Sequence, residues 1–175
     1  MALSEPARAR ATVSIAAVTE RDWRQVRDLR LQALADTPHA FMETLVHAVA
    51  RTDEHWKARA RRCEGPDYVG FAAIDGSRWV GTMRGEISAE GQANLLGVFV
   101  LPSYRGRKHG IGDRLLDAVE QWMRDAGRSE VFLEVHQDNL RAQAFYQRRG
   151  YQFTGVSRPY PLLPAESEVQ MRRAL

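Results

Sequence analysis

Apolar positions in this chain switch repeatedly between a period of two and a period near 3.6, and turn or capping residues mark the switches. Val13 to Val18 reads as a short strand. Thr19-Glu20-Arg21-Asp22 then forms a capping-box pattern with Asp in place of Glu. Trp23, Val26, Arg30, Ala33 and Leu34 share one face of the first predicted helix, which must stop before Pro38. Glu54 to Arg62 predicts a second, shorter helix anchored by Trp56. Tyr68 to Ile74 and Trp79 to Ile87 predict two strands of a hairpin around Asp75-Gly76. Leu95 to Leu101 is apolar on both faces, the pattern of a central strand covered on both sides.

The second half continues the alternation. Ile111, Leu115, Val119, Trp122 and Met123 recur at helical spacing until Gly127. Val131 to Val135 returns to strand. Asp138 or Asn139 caps a further helix carrying Leu140, Ala144 and Phe145, which Gly150 ends. Tyr151 to Val156 and Glu168 to Leu175 predict two closing strands, joined by a connection that includes Arg158 to Pro164. This order predicts one α/β domain over residues 12–175, behind a flexible arm at residues 1–11.

Composition narrows the function classes. With 175 residues, 44% apolar and 27% charged, the chain can bury a proper core and is not of disordered type. A formal charge of +3 is too small an asymmetry to argue for nucleic acid. Cys63 is the only cysteine, which excludes an intrachain disulfide and a thiolate zinc site. His39, His47, His55 and His109 have no ligand spacing, so no metal is expected. The longest apolar run is far too short to span a bilayer, and Met1 to Thr12 lacks the apolar core of a secretion signal. The reading is a cytoplasmic protein, monomer or homodimer, with neither nucleic acid nor membrane as partner.

The chemistry concentrates where a strand runs into a helix. Behind Val98, Phe99 and Val100, the segment Pro102 to Gly112 carries Arg105, Arg107 and Lys108, with glycines at 106, 110 and 112. Glycines let backbone approach a ligand, and the amides opening the helix at Ile111 favour an anion. The segment is not a Walker loop, because no Gly-Lys-Ser/Thr follows, and not a dinucleotide fingerprint, because Leu115 stands where a third glycine belongs. The same residues also read as a basic surface loop. Further on, Asn139 to Tyr151 places Phe145 and Tyr146 on a helix directly after a strand, one able to pack while the other faces a cleft.

Together these two segments resemble the GNAT superfamily of acetyl-CoA-dependent N-acetyltransferases. Its pattern of R/Q-x-x-G-x-G/A opening a helix is met by Arg107-Lys108-His109-Gly110-Ile111-Gly112 behind Val100-Leu101-Pro102. Its later pattern, N-x-x-A-x-x-F-Y-x-x-x-G-F/Y, is met by Asn139, Ala142, Phe145, Tyr146, Gly150 and Tyr151. The loop is two residues longer than is common in the family. Either Arg105-Gly106 is the usual pair followed by an insertion, or Arg107 takes that place.

The resemblance implies a GNAT fold: a mixed central sheet of six to seven strands with helices on both faces. It implies acetyl-CoA as co-substrate, its pyrophosphate on Arg107 to Gly112, with Arg105 and Gly106 as adjoining participants. Val98, Phe99 and Val100 would pair with the pantetheine arm, and an amide of Val98 or Phe99 would polarise the thioester carbonyl. Tyr146 would protonate the departing thiolate, and Asn139 would hold the pantetheine or the helix start. The amine needs a base; Glu86 is the first candidate and Glu134 the second, with His136 on the same strand face as Glu134. Each carboxylate also reads as a solvated surface group. Phe41 and Glu43, after the first helix, would line the acceptor site, with the Tyr160 to Pro164 turn opposite. The expected reaction is acetyl transfer to the primary amine of a small molecule in a closed acidic pocket. Alternatives are acetylation of a protein N-terminus or lysine in an open groove, and a non-catalytic acyl-CoA sensor.

Overall fold

Thr19 and Asp22 open the first helical region as their spacing predicts. The Asp22 carboxylate accepts from the Thr19 amide at 2.8 Å and the Thr19 hydroxyl at 2.9 Å. In the computed structural model, which describes residues 13–175, this box follows strand β1 (Ser14–Ala17) and leads into α1 (Trp23–Asp36). The arm expected at residues 1–11 lies outside the described residues. Trp23, Val26, Leu29, Ala33 and Leu34 are the buried face of α1, and Pro38 begins a new turn after it. The helix anchored by Trp56 runs from Asp53 to Arg61, with Trp56 fully buried and Thr52 capping its start. We number it α3, because a five-residue helix, α2 (Leu45–Val49), precedes it where the sequence predicts none.

The hairpin forms around Gly76, which takes a positive φ of 61° between β2 (Tyr68–Asp75) and β3 (Arg78–Ile87). Then follow β4 (Ala93–Val100), α4 (Ile111–Asp125), β5 (Glu130–His136), α5 (Leu140–Arg148), β6 (Gln152–Tyr160) and β7 (Leu163–Ala174). All seven strands make one mixed sheet in the order β1-β2-β3-β4-β5-β7-β6, so the two-sided apolar strand β4 is its centre. The segment from Arg158 to Pro164 is not an irregular connection. It continues both strands, with Tyr160 paired to Leu163 across a tight turn.

Side chains alternate across β3, so Gly81 and Gly85 face α4 while Arg84 and Glu86 face α1 and α3. The glycines let α4 lie close. A Cβ at Gly85 would stand 2.9 Å from Val119 Cγ1, 3.1 Å from Trp122 and 3.2 Å from Met123. On the α4 side, the buried Glu120 carboxylate accepts from Tyr151 Oη at 2.9 Å and takes Arg173 Nη1 at 2.8 Å on both oxygens. This ties α4 to the end of α5 and to β7. Cys63 is buried beneath β2, and burial pushes its thiol pKa up, which fits a structural thiol.

Gly85→Ala should therefore overpack three side chains and cost about 1–3 kcal/mol in a urea titration. An unchanged midpoint would mean α4 can move off the sheet freely.

Candidate functional site

The central feature is a gap inside the sheet. Strands β4 and β5 run parallel and pair at a single register point, Asn94 opposite Phe132. Beyond it, among the described residues, the one strand paired with β4 is β3. Its course is also broken there: Thr82 stands opposite Phe99 and Arg84 opposite Leu96, so Gly97 and Val98 together face Met83. This is a bulge, and Gly97 sits in it at φ 62°, a left-handed value other residues resist. The backbone of Val98, Phe99 and Val100 thus has no strand paired to it on the β5 side among the described residues.

At the mouth of the gap lies the basic loop. Gly110 (φ 62°) caps α4, and the first bond back into the helix is from the Arg114 amide to the Gly110 carbonyl, at 3.0 Å. The amides of Ile111, Gly112 and Asp113 therefore have no helical carbonyl to donate to. Arg107 and Lys108 are exposed, and among the described residues no carboxylate pairs with them. Gly106 turns the loop at φ 98°.

Arg105 behaves differently from the anion contact expected of it. Its Nε donates to the Val100 carbonyl at 2.7 Å, its Nη2 pairs with Asp36, and its guanidinium lies over the Phe99 ring. It is a strut from the loop to the end of β4 and to α1. Other residues of the loop also have structural work. His109 packs beside Tyr104, whose hydroxyl donates to Asp75 at 2.6 Å, and the Ile111 side chain is buried in the core. Gly112 lets Phe145 approach, since a Cβ there would lie 3.3 Å from that ring. Asp113, the acid of the first turn, is neutralised by Arg148 and Arg149.

The helix α5 borders the gap from the other side. Asn139 caps it by accepting from the Ala142 amide at 3.2 Å, so its carbonyl oxygen is committed to the helix start. Of the aromatic pair, Tyr146 is the buried member and Phe145 the half-exposed one. Tyr146 stands between the rings of Phe145 and Tyr151. Burial drives its phenol pKa upward, so it carries its proton at neutral pH.

The two candidate bases part company. Glu86 is paired with Arg62 and lies level with Asn94, at the closed end of the gap. Glu134 is two residues past the last β4–β5 pair, with Arg158 as its ion-pair partner at 3.6 Å. His136 next to it is buried. Its Nε2 meets Glu166 at 2.7 Å, and its Nδ1 accepts from the Asp138 amide. His136, Asp138 and Glu166 are the group among the described residues whose ligand-type atoms lie within 4.8 Å of one another. Glu168, opposite His136 in β7, has its carboxyl pKa raised by burial and by Glu134. Neither Glu166 nor Glu168 stands out in the sequence; alternation along β7 is the one local signal that sets Glu168 beside His136.

On the acceptor side the expected walls touch. Tyr160 in the β6–β7 hairpin is buried and donates to the Phe41 carbonyl at 2.8 Å, and its ring meets His136 edge-on. Phe41 is itself buried, with Arg30 over its ring. Glu43 is held by Arg30 at 3.0 Å and Arg51 at 3.6 Å. Burial alone would raise its carboxyl pKa, but the Arg30 hydrogen bond and charge bring it below the ordinary value. Phe41 and Glu43 therefore brace this wall. Two surface hollows, of about 340 and 330 Å³, share no residue with the β4–β5 opening.

A sequence profile described as the acetyltransferase (GNAT) family matches residues 23–151. The N-alpha-acetyltransferase RimI of Mycobacterium tuberculosis is 33% identical over 165 residues, 92% of each chain. YdhI of Bacillus subtilis, whose activity is uncharacterised, is 38% identical over 95 residues, 54% of this chain and 56% of its own. The chain thus spans about half the length of the first curated relatives it matches. PaiA N-acetyltransferase from Thermoplasma acidophilum, solved with coenzyme A, superposes with a TM-score of 0.68 at 19% identity, over 93% of this chain and 99% of its own. No helix of the described residues is long and apolar enough to cross a membrane.

The Arg105 strut has a pH signature. Hydrogen bonds from Arg105 and then Thr37 hold the Asp36 carboxyl below its ordinary 3.8. A carboxyl that titrates lower when folded stabilises fully above the unfolded value and loses that contribution as pH falls through the folded one. Asp36→Asn should lower the urea midpoint at neutral pH and flatten its decline into acid. A loss of equal size at every pH would show that the charge of Asp36 is not what holds the loop.

Proposed function

The chain belongs to the acetyltransferase (GNAT) family, and from that premise we propose that it moves an acetyl group from acetyl-CoA to the primary amine of a small molecule. The observation that carries the reading is the gap: β4 beyond Asn94 has a strand paired to it on one side only among the described residues, and it leads directly to first-turn amides of α4 that have no helical carbonyl to donate to. An extended pantetheine arm adds to such an edge as a strand does. Its pyrophosphate end then falls among the amides of Ile111, Gly112 and Asp113, with Arg107 and Lys108 beside them. The fit holds on chemistry as well, since positive-φ glycines at 106 and 110 keep side chains off the phosphates.

At the bulge, an amide of Val98 or Phe99 polarises the thioester carbonyl. The amine nitrogen attacks that carbon, and the oxygen takes the negative charge, whose stabilisation by such a donor is worth about 3 kcal/mol. Collapse of the intermediate breaks the carbon–sulfur bond, and the departing thiolate takes the Tyr146 proton. Glu134 is better placed than Glu86 to receive the amine's proton, directly or through water, because it lies past the last β4–β5 pair and Glu86 is held by Arg62.

A small acceptor is favoured by the Tyr160–Phe41 bond, which joins the two walls over the acceptor side. A second reading, acetylation of a protein N-terminus, is favoured by the similarity to RimI along nearly the whole chain. Acetyl-CoA consumption with free amines and with short peptides separates them. The first reading expects turnover of free amines and little with peptides; the reverse order would overturn it.

Two substitutions test the chemistry. Tyr146→Phe should lower kcat by about a hundredfold, as loss of a general acid does, while the Kd for CoA stays within a few-fold. Unchanged turnover would remove Tyr146 from the reaction. Gly110→Asp adds a strained φ and a negative charge at the pyrophosphate, and should abolish CoA binding by calorimetry; tight binding would place the phosphates elsewhere.

A further inference from the structure

We propose that the acceptor is zwitterionic, an amino acid in the broad sense: its amine lies toward the carboxylates of β5 and β7, and its own carboxylate is held by Arg84, Arg59 and Arg30. This rests on the acyl-transfer reading above and names the acceptor class within it.

The fold leaves positive charge unbalanced beside β3. Arg84 is a buried arginine in mid-strand, and among the described residues no carboxylate lies within 4 Å of it. Arg30 from α1 and Arg59 from α3 close over it. Burial first, and then the charges of Arg84 and Arg30, pull the Arg59 pKa down to about 9, so it is still charged at neutral pH. Burial also lowers that of Arg30, against the pull of Glu43. Glu43 is the carboxylate within reach of this group, and Arg30 and the outlying Arg51 already share it. Two buried polar atoms in the same neighbourhood, Arg59 Nε and His55 Nε2, have no hydrogen-bond partner among the described residues. Buried charge without a counter-charge is costly, and a fold keeps it where a ligand supplies the missing sign.

Position identifies that ligand. A Cβ built on Gly97 would stand 3.4 Å from both Cδ and Nη1 of Arg84, so this arginine lies against the bulge where the thioester is expected. Arg84 is opposite Leu96, and on β5 Glu134 is the next residue of the same face beyond Phe132. The acceptor face therefore carries the arginines around Arg84 on the β3 side, where Glu86 of the same strand is taken up by Arg62, and carboxylates on β5 and β7, with β4 between them. Two regular strand spacings amount to about 10 Å, and the opening of β4 from β5 beyond Phe132 widens this; side chains reaching inward from both sides leave room for a small amino acid. A polyamine would set its second cation against the arginines; a carboxylate meets two or three guanidinium donors.

The test pairs glycine, β-alanine and α-amino acids with their primary amides. One readout is the thermal midpoint of the CoA-loaded protein; the other is thiol release from acetyl-CoA. The acids should raise the midpoint and be acetylated with at least tenfold higher kcat/KM than the amides. Arg84→Gln should erase that ratio through KM, and Arg84→Lys should restore part of it. Arg59→Gln is the companion variant, because removing this side chain orphans no carboxylate and the fold should hold. Equal turnover of acids and amides, or a ratio unmoved in both Gln variants, overturns the proposal and leaves acyl transfer standing. Midpoints that rise with acids in the absence of any turnover would sustain the anion site and overturn the acyl-transfer reading. No shift and no turnover would overturn both.

Discussion

The pairing of β4 with β5 at one register point is the constraint on which the rest of the molecule depends. A parallel sheet normally satisfies its central strands on both sides, and an unpaired edge in mid-sheet is a liability unless something fills it. Here the surrounding elements hold the gap open. The bulge at Gly97 bends β4, the glycines of β3 draw α4 close, and Gly112 admits Phe145 so that α5 can flank the opening. The free strand edge and the free helix amides are then continuous, and a linear ligand with an anionic end is what such a surface accommodates.

Charge divides the site into three parts with different roles. At the mouth, Arg107 and Lys108 have no carboxylate partner among the described residues and are open to solvent, as an anion site needs, while Arg105 is consumed in bracing the loop. On the α5 side, Asp113 is neutralised by arginines and so does not oppose the phosphates. On the face toward α1 and α3, Arg84, Arg59 and Arg30 share Glu43 while Glu86 is taken by Arg62, and carboxylates gather around His136 at β5 and β7. That face is therefore not simply acidic, as the sequence suggests for the acceptor site of a small-molecule enzyme; it carries both signs.

Much of this is legible in the sequence, because it is written in local pattern. The capping box, the Asp75-Gly76 hairpin, the central apolar strand and the helix ends at Pro38, Gly127 and Gly150 are local signals, and the elements follow them closely. Helix α2 escapes because five residues cannot show a period. The β6–β7 hairpin is underestimated because Pro159, Pro161 and Pro164 read as loop residues, although a rim hairpin tolerates them. The role of Arg105 is invisible locally, since its partners Asp36 and Val100 are set by the fold. The arginine cluster left one trace: Arg30 falls on the apolar face of α1, among Trp23, Val26, Ala33 and Leu34. Its companions at 59 and 84 join it only in three dimensions.

The central claim is that acetyl-CoA completes the sheet at β4. Amide hydrogen exchange with and without CoA measures this directly. The account predicts that amides from Val98 to Val100 and from Ile111 to Asp113 exchange markedly more slowly once CoA is bound, while those of β1 and β2 do not change. CoA bound without protection at β4, or protection confined to the outer strands, would contradict it.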